Sequence, residues 1–216
     1  EGAAASQSPT VELFNAEREL RRELRELLPD APGADRLRVS GGAFVRDVCE
    51  GVSRDGAALV VLPDTARAGE RAAVISRQTR VPVLVARAKR PAGGVLGTTA
   101  MQHRRYPVIK QAQQVAAWLE APLMVLHNRP QPDDIFTVAS FSARLVAVAR
   151  DLAPGAAVVV GRHEHPVDGI LEGERRFGCD VLVVGTSVGH REHVSSSVAE
   201  CVAQEAKSSV LVTPME

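Results

Sequence analysis

Glycines and hydroxyl side chains are concentrated in two short stretches of the second half of the chain. One is residues 185–189 (Gly-Thr-Ser-Val-Gly), and the other is the pair Ser196-Ser197, which precedes a helical segment. Glycines let backbone N–H groups approach a phosphate, and the N-terminus of a helix adds its dipole. The pattern is therefore consistent with a phosphate site. It is also consistent with a plain turn, since a Ser-Ser pair is an ordinary helix N-cap.

Four histidines near predicted strand ends are the other residues that could bind a metal ion: His163, His165, His190 and His193. Imidazoles bind zinc, but no cysteine or acidic residue has metal-site spacing with these four, which favours scattered surface histidines. The sequence offers no Ser/His/Asp order and no Gly-x-Ser-x-Gly turn that would indicate a hydrolase. The sequence thus predicts no metal site and no catalytic residue, and it favours a protein that is not an enzyme.

Composition excludes several other classes of function. Lys plus Arg and Asp plus Glu each number 26, so the formal net charge is zero, and aromatic residues make up only 3% of the 216 residues. Nucleic-acid and polybasic membrane-surface partners need a basic excess that this chain lacks. No apolar run approaches the roughly 20 residues of a bilayer span. Three cysteines without a CxxC motif favour a reducing compartment, and hence a cytoplasmic protein.

Apolar strands alternate with amphipathic helices along the chain, which predicts an α/β protein with a doubly wound parallel sheet. Residues 57–62 and 81–86 are apolar throughout, as expected for strands buried on both faces. Helices are predicted at 11–28, 44–55, 70–79, 107–119, 133–152, 167–177 and 196–205. Strands are predicted at 36–40, 57–62, 81–86, 95–98, 123–127, 156–161, 180–184 and 210–212.

An internal repeat divides this pattern into two copies. Residues 48–56 align with 170–178, with identical residues at 50/172, 51/173, 54/176 and 56/178. Residues 59–62 and 181–184 continue at the same offset, and residues 82–85 match 209–212. The second copy has five strands and the first only the last three. We therefore predict an incomplete first domain over residues 1–90 and a complete second domain over residues 91–216.

The second half resembles the universal stress protein family from Gly94 to Met215. Three stretches carry the resemblance: residues 165–171 (HPVDGIL), residues 179–187 (CDVLVVGTS), and residues 196–202 (SSVAECV) followed by 208–212 (SSVLV). In the first half, residues 81–85 are similar to the same family ending. The chain thus looks like a tandem pair of universal-stress-protein-like domains, with the adenine nucleotide alpha hydrolase-like fold.

The resemblance implies a five-stranded parallel sheet of order 3-2-1-4-5, with helices on both faces. It also implies pairing through the last strand, either in a homodimer or in a pseudo-dimer within one chain. In this sequence the last strands contain Val83 to Val85 and Val210 to Val212. Many family members bind ATP, and others do not.

The expected ligand site lies where the strand order reverses, at the ends of strands 95–98 and 180–184. ATP-binding members have an Asp after the first of these strands and a Gly-x2-Gly-x9-Gly-Ser/Thr loop after the other. Here Thr98 and Thr99 replace the Asp, three residues separate the first two glycines, and six separate Gly189 from Ser196. These departures favour a protein without a cofactor and leave ATP as the alternative. The candidate cofactor-binding residues are Thr98, Thr99, Gly185, Thr186, Gly189, Ser196 and Ser197.

The leading hypothesis is a non-catalytic stress-response or regulatory protein that acts through dimerisation and contact with a protein partner that the sequence does not name. One alternative is a cytosolic regulatory domain of a larger protein such as a membrane transporter, suggested by the incomplete first copy. Another is an ATP-binding stress protein with weak ATPase activity.

Overall fold

The structure is a computed structural model that describes Arg18 and residues 43–87, 93–101, 105–129, 135–187 and 197–215. By internal contacts the chain divides into two compact units, residues 1–50 and 51–216, and every described strand lies in the second. The helix predicted at 11–28 and the strand predicted at 36–40 lie outside the described residues. The described elements are α1 (Phe44–Asp55), β1 (Val60–Pro63), α2 (Ala68–Thr79), β2 (Val83–Ala86), β3 (Val95–Thr98), α3 (Pro107–Leu119), β4 (Leu123–Asn128), α4 (Ile135–Leu152), β5 (Ala157–Gly161), α5 (Pro166–Phe177), β6 (Val181–Ser187), α6 (Val198–Glu205) and β7 (Ser209–Met215).

The strands form a single seven-stranded sheet of order β1-β2-β7-β6-β3-β4-β5. Within the second half, reading β5-β4-β3-β6-β7, this is the predicted 3-2-1-4-5 order with every neighbouring pair parallel. Two strands of the first half extend the sheet, and β2 runs antiparallel to β7. The α/β class with a doubly wound sheet is confirmed, while the sheet as a whole has two more strands than the predicted domain.

The last two strands of the chain are longer than their apolar runs predict. The sequence predicts that β6 ends at Val184, but β6 continues through Gly185-Thr186-Ser187, which pair in register with Thr213-Pro214-Met215 of β7. The two extensions stabilise one another through the ladder, and the β-branched threonines suit extended backbone. The prediction that residues 185–187 belong to a loop is therefore wrong.

Helices cover both faces of the sheet. On one face α6 contacts both α2 and α5, and on the other α3 and α4 contact one another. The core under α3 and α4 includes Ile109, Ala112 and Leu145 packed against β-strand residues such as Val183. β3 is buried along its whole length because it lies in the middle of the sheet between covered faces. Among the described residues, no helix is both long and apolar enough to cross a lipid bilayer.

The register of the sheet places residues of the sequence repeat at matching positions. Val61 of β1 pairs with Leu84 of β2, and Val183 of β6 pairs with Leu211 of β7. The repeat aligns Val61 with Val183 and, after a small change in length, Leu84 with Leu211. The glycines that follow the aligned helices, Gly56 and Gly178, both adopt left-handed backbone with φ of 63° and 58°. Strands β1 and β2 therefore have the same geometry as β6 and β7.

Side chains of both halves meet around the β2–β7 pair. The guanidinium of Arg87, directly after β2, donates hydrogen bonds to the backbone oxygens of Ala203 and Ser208 at 2.8 and 3.0 Å. Its Nη2 also contacts Asp64 at 3.0 Å. On the adjoining face, Arg77 of α2 and Glu200 of α6 form an ion pair at 2.9 Å. The two strands of the first half are therefore joined to the second half by a continuous sheet and by packed helices.

Candidate functional site

A cavity of about 370 Å³ opens at the carboxyl ends of β3 and β6, where the strand order reverses. The starts of α5 and α6 form its other walls. This is the position at which open α/β sheets bind ligands. Its described lining consists of Thr98, Thr99, Ala100, Leu126, Asn128, Pro166, Ile170, Val184, Gly185, Thr186, Ser187, Ser197, Val198, Ala199 and Met215.

The structure brings five of the seven candidate residues together around this cavity. Thr98 and Thr99 come from the end of β3, Gly185 and Thr186 from β6, and Ser197 from the start of α6. The other two candidates, Gly189 and Ser196, lie outside the described residues. Sequence analysis missed Asn128 and Met215, although Asn128 is a polar residue at the end of a predicted strand, the same signal that singled out Thr98.

The glycine at position 185 has a packing role. A Cβ on Gly185 would lie 2.9 Å from Val108 Cγ2 and from Met215 Cγ. That separation is shorter than ordinary van der Waals contact, so the absence of a side chain lets α3 and the end of β7 close over β6. Gly185 is explained by this packing without any ligand.

The start of α6 is capped by the protein itself. Ser197 Oγ accepts a hydrogen bond from the Glu200 backbone N–H, and Glu200 Oε2 accepts one from the Ser197 backbone N–H, which is a capping box. The Glu200 carboxylate also interacts favourably with the helix dipole. An incoming phosphate would have to approach this carboxylate, which Arg77 already holds in an ion pair, and would find two of the terminal N–H groups already bonded.

Hydrogen bonds fix the wall of the cavity formed by β3, β4 and the loop after β5. Asn128 Nδ2 donates to the His163 carbonyl at 3.0 Å, and Asn128 Oδ1 accepts from the His163 N–H at 3.1 Å. His127 Nδ1 lies 2.7 Å from the Thr99 carbonyl, and its ring stacks on Phe141. These contacts hold the polar ends of β3 and β4 in one arrangement.

Two threonines at the cavity differ in how their hydroxyls are satisfied. Thr98 Oγ1 donates to the Val183 carbonyl at 3.2 Å. Thr186 is only 2% exposed, yet within the part of the chain that the structure describes its Oγ1 has no hydrogen-bond partner. A buried hydroxyl without a partner lowers stability, and a ligand hydrogen bond could satisfy it.

This difference predicts opposite effects of the same substitution. Thr186→Val should leave the free energy of unfolding unchanged or raise it by up to about 1 kcal/mol, because it removes an unpartnered hydroxyl. Thr98→Val should lower it by about 1 kcal/mol, because it breaks a buried hydrogen bond. Urea denaturation followed by circular dichroism measures both. An equal loss in the two variants would mean that the Thr186 hydroxyl has a partner, such as a bound ligand.

The described lining of the cavity carries no ionisable side chain. It therefore supplies neither a general acid or base nor a charge to bind a phosphate. Of the histidines, His163 contributes backbone groups, and His165 precedes α5 without capping it through its side chain. His190 and His193 lie outside the described residues, and no metal-binding cluster is found among those described.

Cys49 and Cys179 are not activated as nucleophiles. Burial raises the pKa of the Cys179 thiol to about 11, and burial also raises the pKa of Cys49. A thiol with a raised pKa is almost fully protonated at neutral pH and therefore reacts slowly. None of the chain's three cysteines, all of them within the described ranges, forms a disulfide.

The chain is similar to known proteins in both sequence and fold. The model of the universal stress protein family matches residues 95–214. A structure described as a universal stress protein of Pseudomonas aeruginosa UCBPP-PA14 is similar, with a TM-score of 0.64, 18% identity, and coverage of 97% of this chain and 80% of the other. A universal stress protein of Archaeoglobus fulgidus has a TM-score of 0.63, 13% identity, and coverage of 98% and 84%. A functionally unknown protein of Pseudomonas aeruginosa PAO1 has a TM-score of 0.59, 18% identity, and coverage of 97% and 79%. No curated protein sequence matches the chain.

Proposed function

This chain belongs to the universal stress protein family, and we propose that it is a non-catalytic member, a stress-response or regulatory protein that acts through contact with other proteins. The observation that carries the proposal is the chemistry of the switch-point cavity. Its described lining is uncharged, and the start of α6 beside it holds the carboxylate of Glu200. Triphosphate binding would need cations or unbonded N–H groups at this position.

The pairing of the last strands supports a pseudo-dimer within one chain. Val83, Leu84 and Val85 of β2 pair with Val212, Leu211 and Val210 of β7. The other edge of β7 is bonded to β6 along its length. A homodimer through Val210 to Val212 would have to displace β2, so we propose that the tandem halves take the place of two subunits.

Exposed apolar side chains support contact with a partner. Val61 of β1 is 57% exposed and Trp118 at the end of α3 is 73% exposed. Aromatic residues, tryptophan among them, are enriched in the parts of protein surfaces that form interfaces, so Trp118 is the stronger of these two indications.

Nucleotide content and nucleotide-dependent stability test the proposal. The purified protein should release no ATP on acid extraction, and ATP with magnesium should leave the unfolding temperature of the wild type unchanged, because a ligand stabilises only the state that binds it. Glu200→Gln keeps the capping box but removes the charge and releases Arg77 from its ion pair, so ATP should raise the unfolding temperature of this variant even where it leaves that of the wild type unchanged. Glu205→Gln, at the other end of α6, is the control for removal of a helix carboxylate.

ATP binding with weak ATPase activity is the second candidate, favoured by the unpartnered Thr186 hydroxyl at the cavity. Stoichiometric ATP in the acid extract, or a higher unfolding temperature of the wild type with ATP and magnesium, would support this candidate and contradict the proposal. Release of phosphate from added ATP would then measure the ATPase activity.

A further inference from the structure

Strand β1, at one edge of the sheet, is the counterpart of a strand that lies in the middle of the sheet. The sequence repeat aligns residues 59–62 with residues 181–184 of β6. β6 lies between β7 and β3, whereas β1 has only β2 beside it among the described strands. The described part of the first half therefore has no counterpart of β3, nor of α3, the helix that follows β3.

The backbone groups on the open edge of β1 match those that bind β3 in the second half. The Val60 N–H donates to the Pro82 carbonyl, on the β2 side, at 3.0 Å. Because the backbone groups of successive residues in a parallel ladder point to opposite sides, the N–H and C=O of Val61 point to the open edge. The alternation is the same in β6, so the groups of Val183, which the repeat aligns with Val61, face Gly97 of β3.

One face of β1 is also without the helix that covers its counterpart. Val183 is fully buried in the core under α3, but Val61 is 57% exposed. Leu84 of β2, which pairs with Val61, still packs against that core. Helix α2 contacts β1 and β2 from the other face. The apolar layer under α3 therefore continues across β2 and ends uncovered at β1.

We propose that this edge binds a partner protein through a short apolar strand followed by an amphipathic helix, the same kind of unit as β3 and α3. The strand lies parallel to β1 and bonds to the backbone of Val61, and the helix packs on Val61 and Leu84. Two observations specify this partner: such a unit covers the equivalent strand β6, and the core under α3 is continuous with the uncovered surface. The inference rests on the proposed action through protein contact, but not on the absence of a nucleotide.

Binding of a labelled peptide tests the proposal. The peptide has residues 93–119 of this chain, which contain β3 and α3, and carries fluorescein at its N-terminus. We expect a saturable rise in its fluorescence anisotropy on titration with the wild-type protein. The same peptide with Leu96→Pro and Ile109→Lys should bind at least about tenfold more weakly, because it lacks a strand N–H and has a charge on the apolar face of its helix.

Two exposed valines provide a matched pair of protein variants. Val61→Lys should weaken peptide binding by at least about tenfold, since it places a charge under the docked helix. Val146→Lys, at a valine of α4 that is 52% exposed, should leave binding unchanged. If circular dichroism shows that Val61→Lys does not fold, Val61→Pro takes its place, because an edge strand tolerates proline where the N–H faces outward, and the donor to the partner strand is then lost.

The proposal is overturned if the wild type shows no saturable change, which is also the result expected if residues outside the described ranges already fill the edge. It is overturned as well if Val61→Lys folds and binds as tightly as the wild type, or if Val146→Lys weakens binding equally. A wild type that sediments as a dimer while Val61→Lys sediments as a monomer would assign the edge to a second copy of the chain instead. None of these outcomes depends on the ATP measurements, so the two proposals can fail separately.

Discussion

Gly69→Ala should lower the free energy of unfolding by about 2–3 kcal/mol, although alanine is the better helix former. A Cβ at position 69 would clash with the Glu200 carbonyl oxygen of α6 and would lie 2.8 Å from the Gln204 backbone nitrogen. Both atoms belong to a helix backbone, which cannot rotate away as a side chain can. Helices α2 and α6 would have to separate, and the cover over the β2–β7 pair would loosen.

Gly51→Ala is the matched control for this variant. Gly51 is also inside a helix, but the nearest atom to its Cβ position is Arg54 Nη2 at 3.8 Å, an ordinary contact. Removing a mid-helix glycine there should raise the free energy of unfolding by about 0.5–1 kcal/mol. Urea denaturation measures both variants. Two stabilised variants would mean that α2 and α6 are not in close contact in solution.

The alternation of apolar strands and amphipathic helices was sufficient to predict the fold class. It placed the five strands of the second half because their side chains are buried on both faces, which leaves a continuous apolar signal. It missed the ends of β6 and β7, because Gly185-Thr186-Ser187 is polar and reads as a loop. Only the pairing with Thr213-Pro214-Met215, at the far end of the chain, makes that segment extended.

The aligned glycines of the repeat show what a local pattern cannot predict. Gly51 and Gly173 occupy the same position of the repeat, yet a Cβ on Gly173 would lie 2.9 Å from Leu126 and 3.3 Å from Leu96, whereas a Cβ on Gly51 would meet only Arg54 Nη2, at an ordinary 3.8 Å. Leu126 belongs to β4 and Leu96 to β3, and the described part of the first copy has no strands that correspond to these two. The same Glu-Gly pattern therefore marks a tight contact in the second copy and an unconstrained position in the first.

The candidate site was predicted in part for a similar reason. The fold places the ends of β3 and β6 side by side, so Thr98, Thr99, Gly185, Thr186 and Ser197 converge as the switch-point rule requires. The role of Glu200 was not evident, because an acidic residue three positions after a serine is simply a capping signal. Its effect on an incoming phosphate depends on which cavity that helix start faces, and this is a property of the packed structure.

Glu174 is the residue whose removal should destabilise the protein most. It lies in a charged run, residues 172–176, that the sequence alone would assign to a solvated helix face. In the structure it is only 3% exposed, and its Oε1 accepts hydrogen bonds from the Lys207 N–H, the Ser208 N–H and the Ser208 hydroxyl at 2.7, 2.6 and 2.7 Å. The repeat contains the relevant clue, because the aligned residue of the first copy is the buried Val52.

Glu174→Ala should therefore lower the free energy of unfolding by about 3–5 kcal/mol, since it leaves buried donors at the α6–β7 turn without their acceptor. Glu174→Gln retains an oxygen at the same place and should lose less. Glu172→Ala, which removes an exposed partner of Arg175, should change stability by no more than about 0.5 kcal/mol. Equal free energies of unfolding for Glu174→Ala and Glu172→Ala would mean that the Glu174 carboxylate does not hold the α6–β7 turn. The predicted difference between these variants would instead mean that a single buried carboxylate fixes the start of β7, the strand with which β2 pairs.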